Sequence, residues 1–279
     1  FKSSDMMKTT NYIKFLSTIF IIIQTSINVY AQNTSDEKYY INNNRHWFAE
    51  IPIWIPGFRG QISYGEIELS SSGNDEEGGS ERLENDTGIE FYFVGRIAAK
   101  YNKIWIQADA FSGAVSSSFS YTSLISNTEK EIVEVKVNGT IPRLILGYSI
   151  WSKSDNAKFN IELVPYAGIR YVSLKLRSEV FDLTNLIDVK PDWFEPLVGV
   201  YIPVIYKRFK IEIQADYGYS GNNNSWVVSN RYRYRISQLI DVQLGWNLIR
   251  LYHKGIIDDK ELETTIRLFG PTAGVGFRF

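Results

Sequence analysis

From Trp47 onward, apolar and polar residues alternate with a period of two in about ten segments, separated by polar or Gly- and Asn-rich turns. Residues 209–220 show the pattern most cleanly: Ile211, Ile213, Ala215, Tyr217 and Tyr219 share one face, and Lys210, Glu212, Gln214, Asp216 and Gly218 the other. A helix would scatter those charges around its circumference, whereas an extended chain sorts them. Residues 225–236 set Trp226, Val228, Tyr232 and Tyr234 against Ser229, Arg231, Arg233 and Arg235. The expected strands are 47–56, 87–101, 103–119, 132–151, 158–177, 192–206, 208–220, 225–236, 240–254 and 261–279. Connections near 101–103, 152–157, 206–208 and 236–240 are short, and those at 57–86, 120–131, 178–191 and 254–261 are long, with 221–224 a short exception. Short turns at one end and long loops at the other are the layout of an outer-membrane barrel. The expected fold is therefore all-β, an antiparallel transmembrane barrel of about ten strands, with eight and twelve left open.

The alternation alone does not say which face is dry, because a soluble sandwich or a lipocalin-like barrel alternates too. Composition tilts the choice. The chain holds 18 Tyr, 16 Phe and 7 Trp, and aromatics gather at the ends of apolar faces (Trp47, Tyr101, Tyr148, Trp151, Tyr217, Tyr219, Trp226, Phe277, Phe279), as interfacial girdles do. The opposite face is ionic and balanced. Glu50, Glu90, Asp109, Glu162, Glu195, Glu212, Asp216 and Asp241 meet Arg96, Arg143, Arg170, Lys210, Arg231, Arg233, Arg235 and Arg278. Enclosed charges of both signs pair, since isolated ones would be costly. Folding 208–220 onto 225–236 through a four-residue loop sets Glu212 opposite Arg233, Gln214 opposite Arg231 and Asp216 opposite Ser229. Such a ladder either plugs a narrow lumen or lines an anion path. The plug is the preferred reading.

Ahead of the strands, Lys8 and Lys14 precede an apolar stretch from Phe15 to Ile23, and Val29-Tyr30-Ala31 offers small residues before Gln32. This is the arrangement of a secretory signal peptide cut near Ala31. Residues 1–31 are read as upstream residues and signal peptide, 32–46 as a periplasmic segment and 47–279 as the barrel. The expected location is the outer membrane.

Net charge is −1, so counterion release offers nucleic acid no hold. With no Cys and two His, thiolate and His-rich metal centres are excluded, and no cofactor or metal is expected. The acidic segment 66–86 (Glu66, Glu68, Asp75, Glu76, Glu77, Glu81, Glu84, Asp86) lacks calcium-loop spacing and reads as a solvated loop. His253, near Asp258, Asp259 and Glu261, is the candidate for a rim hydrolase acting on lipid A or peptide. No nucleophile motif accompanies it, so the chain is read as a non-enzyme, with the rim hydrolase and a soluble lipocalin-like binder as alternatives. The main reading is a charged, largely filled barrel with a structural or surface-interaction role, or a narrow solute channel.

Several stretches resemble an uncharacterised family of small Gram-negative outer-membrane barrels. Trp54-Ile55-Pro56-Gly57 is similar to its Trp-x-Pro-Gly hallmark, Asp192-Trp193-Phe194-Glu195-Pro196-Leu197-Val198-Gly199 to its Asp-Trp-x-Glu-Pro-x-x-Gly, and Gly168-Ile169-Arg170-Tyr171 to a Gly-x-Arg-Tyr on the preceding strand. Gly270-Pro271 and the run from Gly274 to Phe279 complete the likeness. The Ser-, Gly- and Glu-rich first long loop departs from it. Terminal Phe279, with Phe277 two residues before, resembles the signal read by the barrel-assembly machinery. The resemblance thus implies that machinery, together with outer-membrane lipid and lipopolysaccharide, as partners.

Overall fold

The computed structural model describes residues 45–65, 67–70, 89–123, 131–155, 159–180, 183–237 and 239–278. Over these the alternation resolves into β1 (Arg45–Trp54), β2 (Gly57–Tyr64), β3 (Ile67–Ser70), β4 (Ile89–Tyr101), β5 (Ile104–Ser123), β6 (Glu131–Tyr148) and β7 (Trp151–Asp155). β8 (Phe159–Val180), β9 (Leu183–Val189), β10 (Asp192–Tyr206), β11 (Phe209–Ser220), β12 (Asn223–Arg235), β13 (Ile240–Ile257) and β14 (Lys260–Arg278) follow. Four staves of the wall are built from two segments each. β1 and β2 run along β14 in one unbroken register, Trp54 facing Thr272 and Gly57 facing Phe269, with the Ile55 N–H donated to the Pro271 carbonyl across the break at 3.1 Å. β9 and β10 likewise keep a single register along β8 as far as Ser178 opposite Ile187, bridged by the Leu174 N–H to the Pro191 carbonyl, and the register shifts beyond, where Val180 meets Leu183. β6 continues into β7 past Ser149-Ile150, and β3 and β4 both lie between the first stave and β5. β1 pairs with β14, so the wall closes as an antiparallel barrel of ten staves.

Prolines mark where the ladder yields. Pro52, Pro142 and Pro203 each keep a partner on one side, at Gly274, Ala110 and Glu212. On the other side the pairing skips them, between Glu50 and Ile53, Thr140 and Arg143, and Tyr201 and Val204. The missing N–H falls at those skips, which is how a strand within a closed wall accommodates proline.

Two sequence expectations need correction. The loop between β11 and β12 is the two-residue turn Gly221-Asn222, with Gly221 at φ 59°, where Ser220 pairs with Asn223. The ladder therefore slips by two. Glu212 faces Arg231, Gln214 faces Ser229 and Asp216 faces Val227. Because the slip is even, every side chain stays on its expected face. Second, the segments read as long loops contribute wall. β2 and β3 form a hairpin turning at Gly65 (φ 58°), β8 and β9 reach Val180 and Leu183, and β13 and β14 turn at Asp258-Asp259, both in the left-handed region. Paired positive-φ residues suit the right-handed twist of a tight hairpin.

The reason those outer stretches do not read as membrane strands is that the alternation inverts. On β13, Val242, Leu244, Trp246 and Leu248 face outward and Asp241, Gln243 and Asn247 inward. Beyond them Arg250, Tyr252 and Lys254 face outward, and Ile249 and Leu251 inward. β14 switches between Phe269 and Leu268, β8 between Tyr171 and Val172, and β6 between Pro142 and Ile141. The exposed apolar band on β13, from Ile240 to Leu248, has about the nine to eleven residues a tilted strand needs to cross hydrocarbon. Above that band the barrel packs like a water-exposed sheet around a core that includes Trp54, Leu69, Val172, Leu176, Leu251 and Ile266.

Candidate functional site

The inward faces of the banded half build two charged clusters, one above the other. The cluster nearer the short turns takes Glu50 from β1, Arg96 from β4, Lys210 and Glu212 from β11, and Arg231 and Arg233 from β12. Arg96 Nε lies 2.5 Å from Glu50 and Nη2 3.2 Å from Glu212. Glu212 also meets Arg231 Nε at 3.3 Å, Arg233 Nε at 2.6 Å and Lys210 Nζ at 2.8 Å, and accepts the Tyr201 hydroxyl. Arg233 reaches Glu50 as well, and its guanidinium sits 3.9 Å from the centroid of the Phe48 ring. Arg231 donates to Gln214 at 2.9 Å.

The second cluster joins Asp109 on β5, Arg143 on β6, Arg170 on β8, Glu195 on β10 and Asp216 on β11. Arg143 Nη2 is 2.9 Å from Asp109, and its other terminal nitrogen pairs with Asp216. Arg170, 1% exposed, pairs with Glu195 at 2.9 Å and with Asp216. Glu195 further accepts from Trp193 Nε1 at 3.2 Å and from Ser225, and Asp216 from the Tyr166 hydroxyl at 2.9 Å. A buried ion pair recovers its desolvation cost only when its remaining lone pairs and protons are also bonded. These carboxylates each have several partners, which is why this many charges coexist here.

Glycine supplies the room. A Cβ on Gly218 would come 2.5 Å from a Glu195 oxygen, and one on Gly199 would come 2.5 Å from the Tyr166 ring. The stretches quoted for the family resemblance thus meet in pairs. Glu195 faces Arg170 across β10 and β8, and Trp54 donates its indole N–H to the Gly270 carbonyl at 3.1 Å where β1 and β2 join β14.

Toward the short turns, Glu162 pairs with Lys100 and accepts from Asn160 at 3.0 Å. Asp241 meets Arg278 at 2.7 Å and Arg235 at 3.9 Å. Between this rim and the lower cluster lies a recess of about 540 Å³, with Trp105 stacked on Tyr201 at 4.4 Å in its wall. Between the clusters and the apolar core, the described residues line a pocket of about 70 Å³.

Of the expected lumen residues, Glu50, Arg96, Asp109, Arg143, Glu162, Arg170, Glu195, Glu212, Asp216, Arg231, Arg233, Arg235 and Arg278 all lie inside. Glu90 pairs through its backbone with Ala114, and its side chain lies outside the described residues. Phe277 lies on the outward face of β14 and faces Ala49 and Ile240, and Phe279 lies outside the described residues. So do residues 71–86 of the acidic segment. Lys100, Gln107, Tyr166, Trp193, Tyr201 and Ser225 belong to the network without having been singled out. Their parity on the polar faces was the available signal, but a search for opposite charges passes over neutral donors, and Lys100 sits beside a turn.

His253 is not part of an acidic rim group. It points inward, buried, with its ring stacked on Trp193 at 5.1 Å, and neither ring nitrogen has a hydrogen-bond partner among the described residues. Burial pushes its imidazole below the ordinary value, partly countered by Asp192. Glu261 instead pairs with Lys254 at 2.6 Å, and Asp258 and Asp259 occupy the hairpin turn. Among the described residues, no three His, Asp or Glu gather where they could hold a metal ion.

No family profile and no curated protein matches the chain. Among solved structures, it is similar to the outer membrane protease OmpT from Escherichia coli at 11% identity and a TM-score of 0.53, covering 89% of this chain and 99% of that one. The translocator domain of the autotransporter NalP from Neisseria meningitidis is 16% identical with a TM-score of 0.33, covering 94% and 98%. The N-terminal barrel domain of Pseudomonas aeruginosa OprF is 9% identical with a TM-score of 0.32, covering 85% and 98%. The first likeness establishes the fold of an outer-membrane barrel and nothing finer.

Proposed function

We propose that this chain is an integral outer-membrane barrel, exported by the segment ending near Ala31, whose blocked lumen fits it for a structural or surface-interaction role rather than conduction. The carrying observation is the succession of fillings inside the wall. Two clusters of paired charges lie beneath an apolar core, with about 70 Å³ between them. A conducting pore needs a continuous wetted path, which alternating hydration sites or charge rings provide and packed Leu, Ile and Val do not. The outer half, polar outside and apolar inside, offers a platform whose β2–β3 and β13–β14 hairpins face away from the membrane. The motif likeness to a family of small Gram-negative barrels supports the same reading, because its quoted residues serve closure and packing.

Single-channel recording in planar bilayers tests this. Purified, folded barrel is expected to leave the bilayer silent at 100 mV or so, well within the range where porins conduct. Reproducible ion-selective steps would overturn it in favour of a narrow channel.

A further inference from the structure

We infer that the recess at the short-turn end is a binding site for a small organic polyanion, one carrying carboxylate or phosphate groups. Its lining carries six basic side chains, Arg96, Lys100, Lys103, Lys210, Arg233 and Arg278, against two carboxylates, Glu162 and Glu212. Glu50, behind the wall, does not restore the balance. Leaving aside the Asp241, Arg235 and Arg278 group at the rim, three described acids, Glu50, Glu162 and Glu212, serve five described interior cations, Arg96, Lys100, Lys210, Arg231 and Arg233. Two positive charges remain in excess among these. The cluster farther from the short turns runs the other way, with Arg143 and Arg170 against Asp109, Glu195 and Asp216. The interior is therefore polarised along its axis, cationic where it opens.

Such an excess in a low-dielectric enclosure is costly unless an anion shares it, and a concave surface of one sign concentrates counter-ions. The guanidiniums of Arg96 and Arg233, both under 5% exposed as side chains, form the floor. Both are held by Glu50 and Glu212, so they act on a bound anion through their charge rather than as open forks. Lys210, a fifth exposed, reaches the recess from the wall. Ser149, Ser152 and Asn160 add hydroxyl and amide groups that suit a hydroxylated ligand. About 540 Å³ falls within the span of small-molecule sites. The apolar core above makes this a dead end, so the ligand enters and leaves by the short-turn side, which the proposed topology places in the periplasm.

Isothermal titration calorimetry on the folded full-length barrel in detergent at low ionic strength, with citrate and with pyrophosphate as probes, decides the matter. Saturable one-to-one binding of either is expected, citrate alone indicating a carboxylate ligand and pyrophosphate alone a phosphate one. Raising the salt to about 0.5 M should weaken it tenfold or more, as screening requires. Lys210→Met is expected to weaken binding about tenfold. Lys103→Glu, at an exposed turn where folding is not at stake, should weaken it several-fold and decides the case if Lys210→Met does not fold. No saturable heat with either probe, or affinities unchanged in the folded variants, would overturn the proposal.

Discussion

The two halves of this barrel obey the same period of two and opposite rules of solvation. In the half nearer the short turns, Leu146, Leu244 and Ile169 are exposed while Arg170, Glu195 and Glu212 are buried. In the outer half, Leu174, Leu251 and Ile266 are buried while Lys175, Arg250 and Arg267 face out. A stave such as β8 changes from one rule to the other within a single step, Tyr171 to Val172, with no kink or bulge against β10. Backbone pairing is indifferent to what lies on either side of the sheet. The side chains alone decide whether a given length of wall is dressed for hydrocarbon or for water. One continuous strand can therefore serve as a membrane span below and as the wall of a water-exposed barrel above.

The most damaging way to break the contrast is to disarm the charged half. Arg170→Met leaves Glu195 and Asp216 enclosed with one cation fewer, and removing one partner from a buried pair costs about 3–5 kcal/mol. Urea titration of the barrel refolded into lipid vesicles should show that loss. The outer faces supply the sharpest paired test. Leu146→Arg places a charge in the apolar band and is expected to cost about 2–4 kcal/mol in the same titration. Asn138→Arg, four turns of the pleat higher on the same face of β6, should stay within about 0.5 kcal/mol. Gly218→Ala presses a methyl on the Glu195 carboxylate, and overpacking of this kind costs about 1–3 kcal/mol. The smallest effect belongs to the outer core. The folded His253 has a lowered pKa, so below the ordinary histidine value the unfolded chain binds a proton that the folded one resists. Stability therefore falls as pH drops from neutrality through that value, and is regained as pH rises. Unfolding midpoints measured between pH 7 and 5 should show this decline in the parent and lose it in His253→Phe.

Much of this was legible in the sequence, for identifiable reasons. Strand number and the facing of the charged residues follow from parity, which survives an error in loop length, as β11 and β12 illustrate. Their register did not follow, because Gly221-Asn222-Asn223-Asn224 reads as one polar loop although Asn223 and Asn224 pair with Ser220 and Tyr219. The outer half was hidden by its own inversion. Arg59 and Gln61 on β2 and Asp188 on β9 lie on the face that lower down is greasy, so a search for membrane strands discards these stretches. The recess was not legible at all, since it arises from nine staves whose spacing no sequence pattern sets. Conversely, Trp54 and Gly270, distant in the chain by 216 positions, form one seam contact whose two ends were each recognisable only through resemblance.

The change of dress along β13 admits a direct test, because the chain has no cysteine and single cysteines can be read without background. Cysteines placed singly at 242, 244, 246, 248, 250, 252 and 254, all outward positions, would be probed with a membrane-impermeant maleimide on the barrel embedded in lipid vesicles. The account predicts protection through 248 and full labelling from 250 onward. A uniform response along the strand, whether protected or labelled throughout, would contradict it.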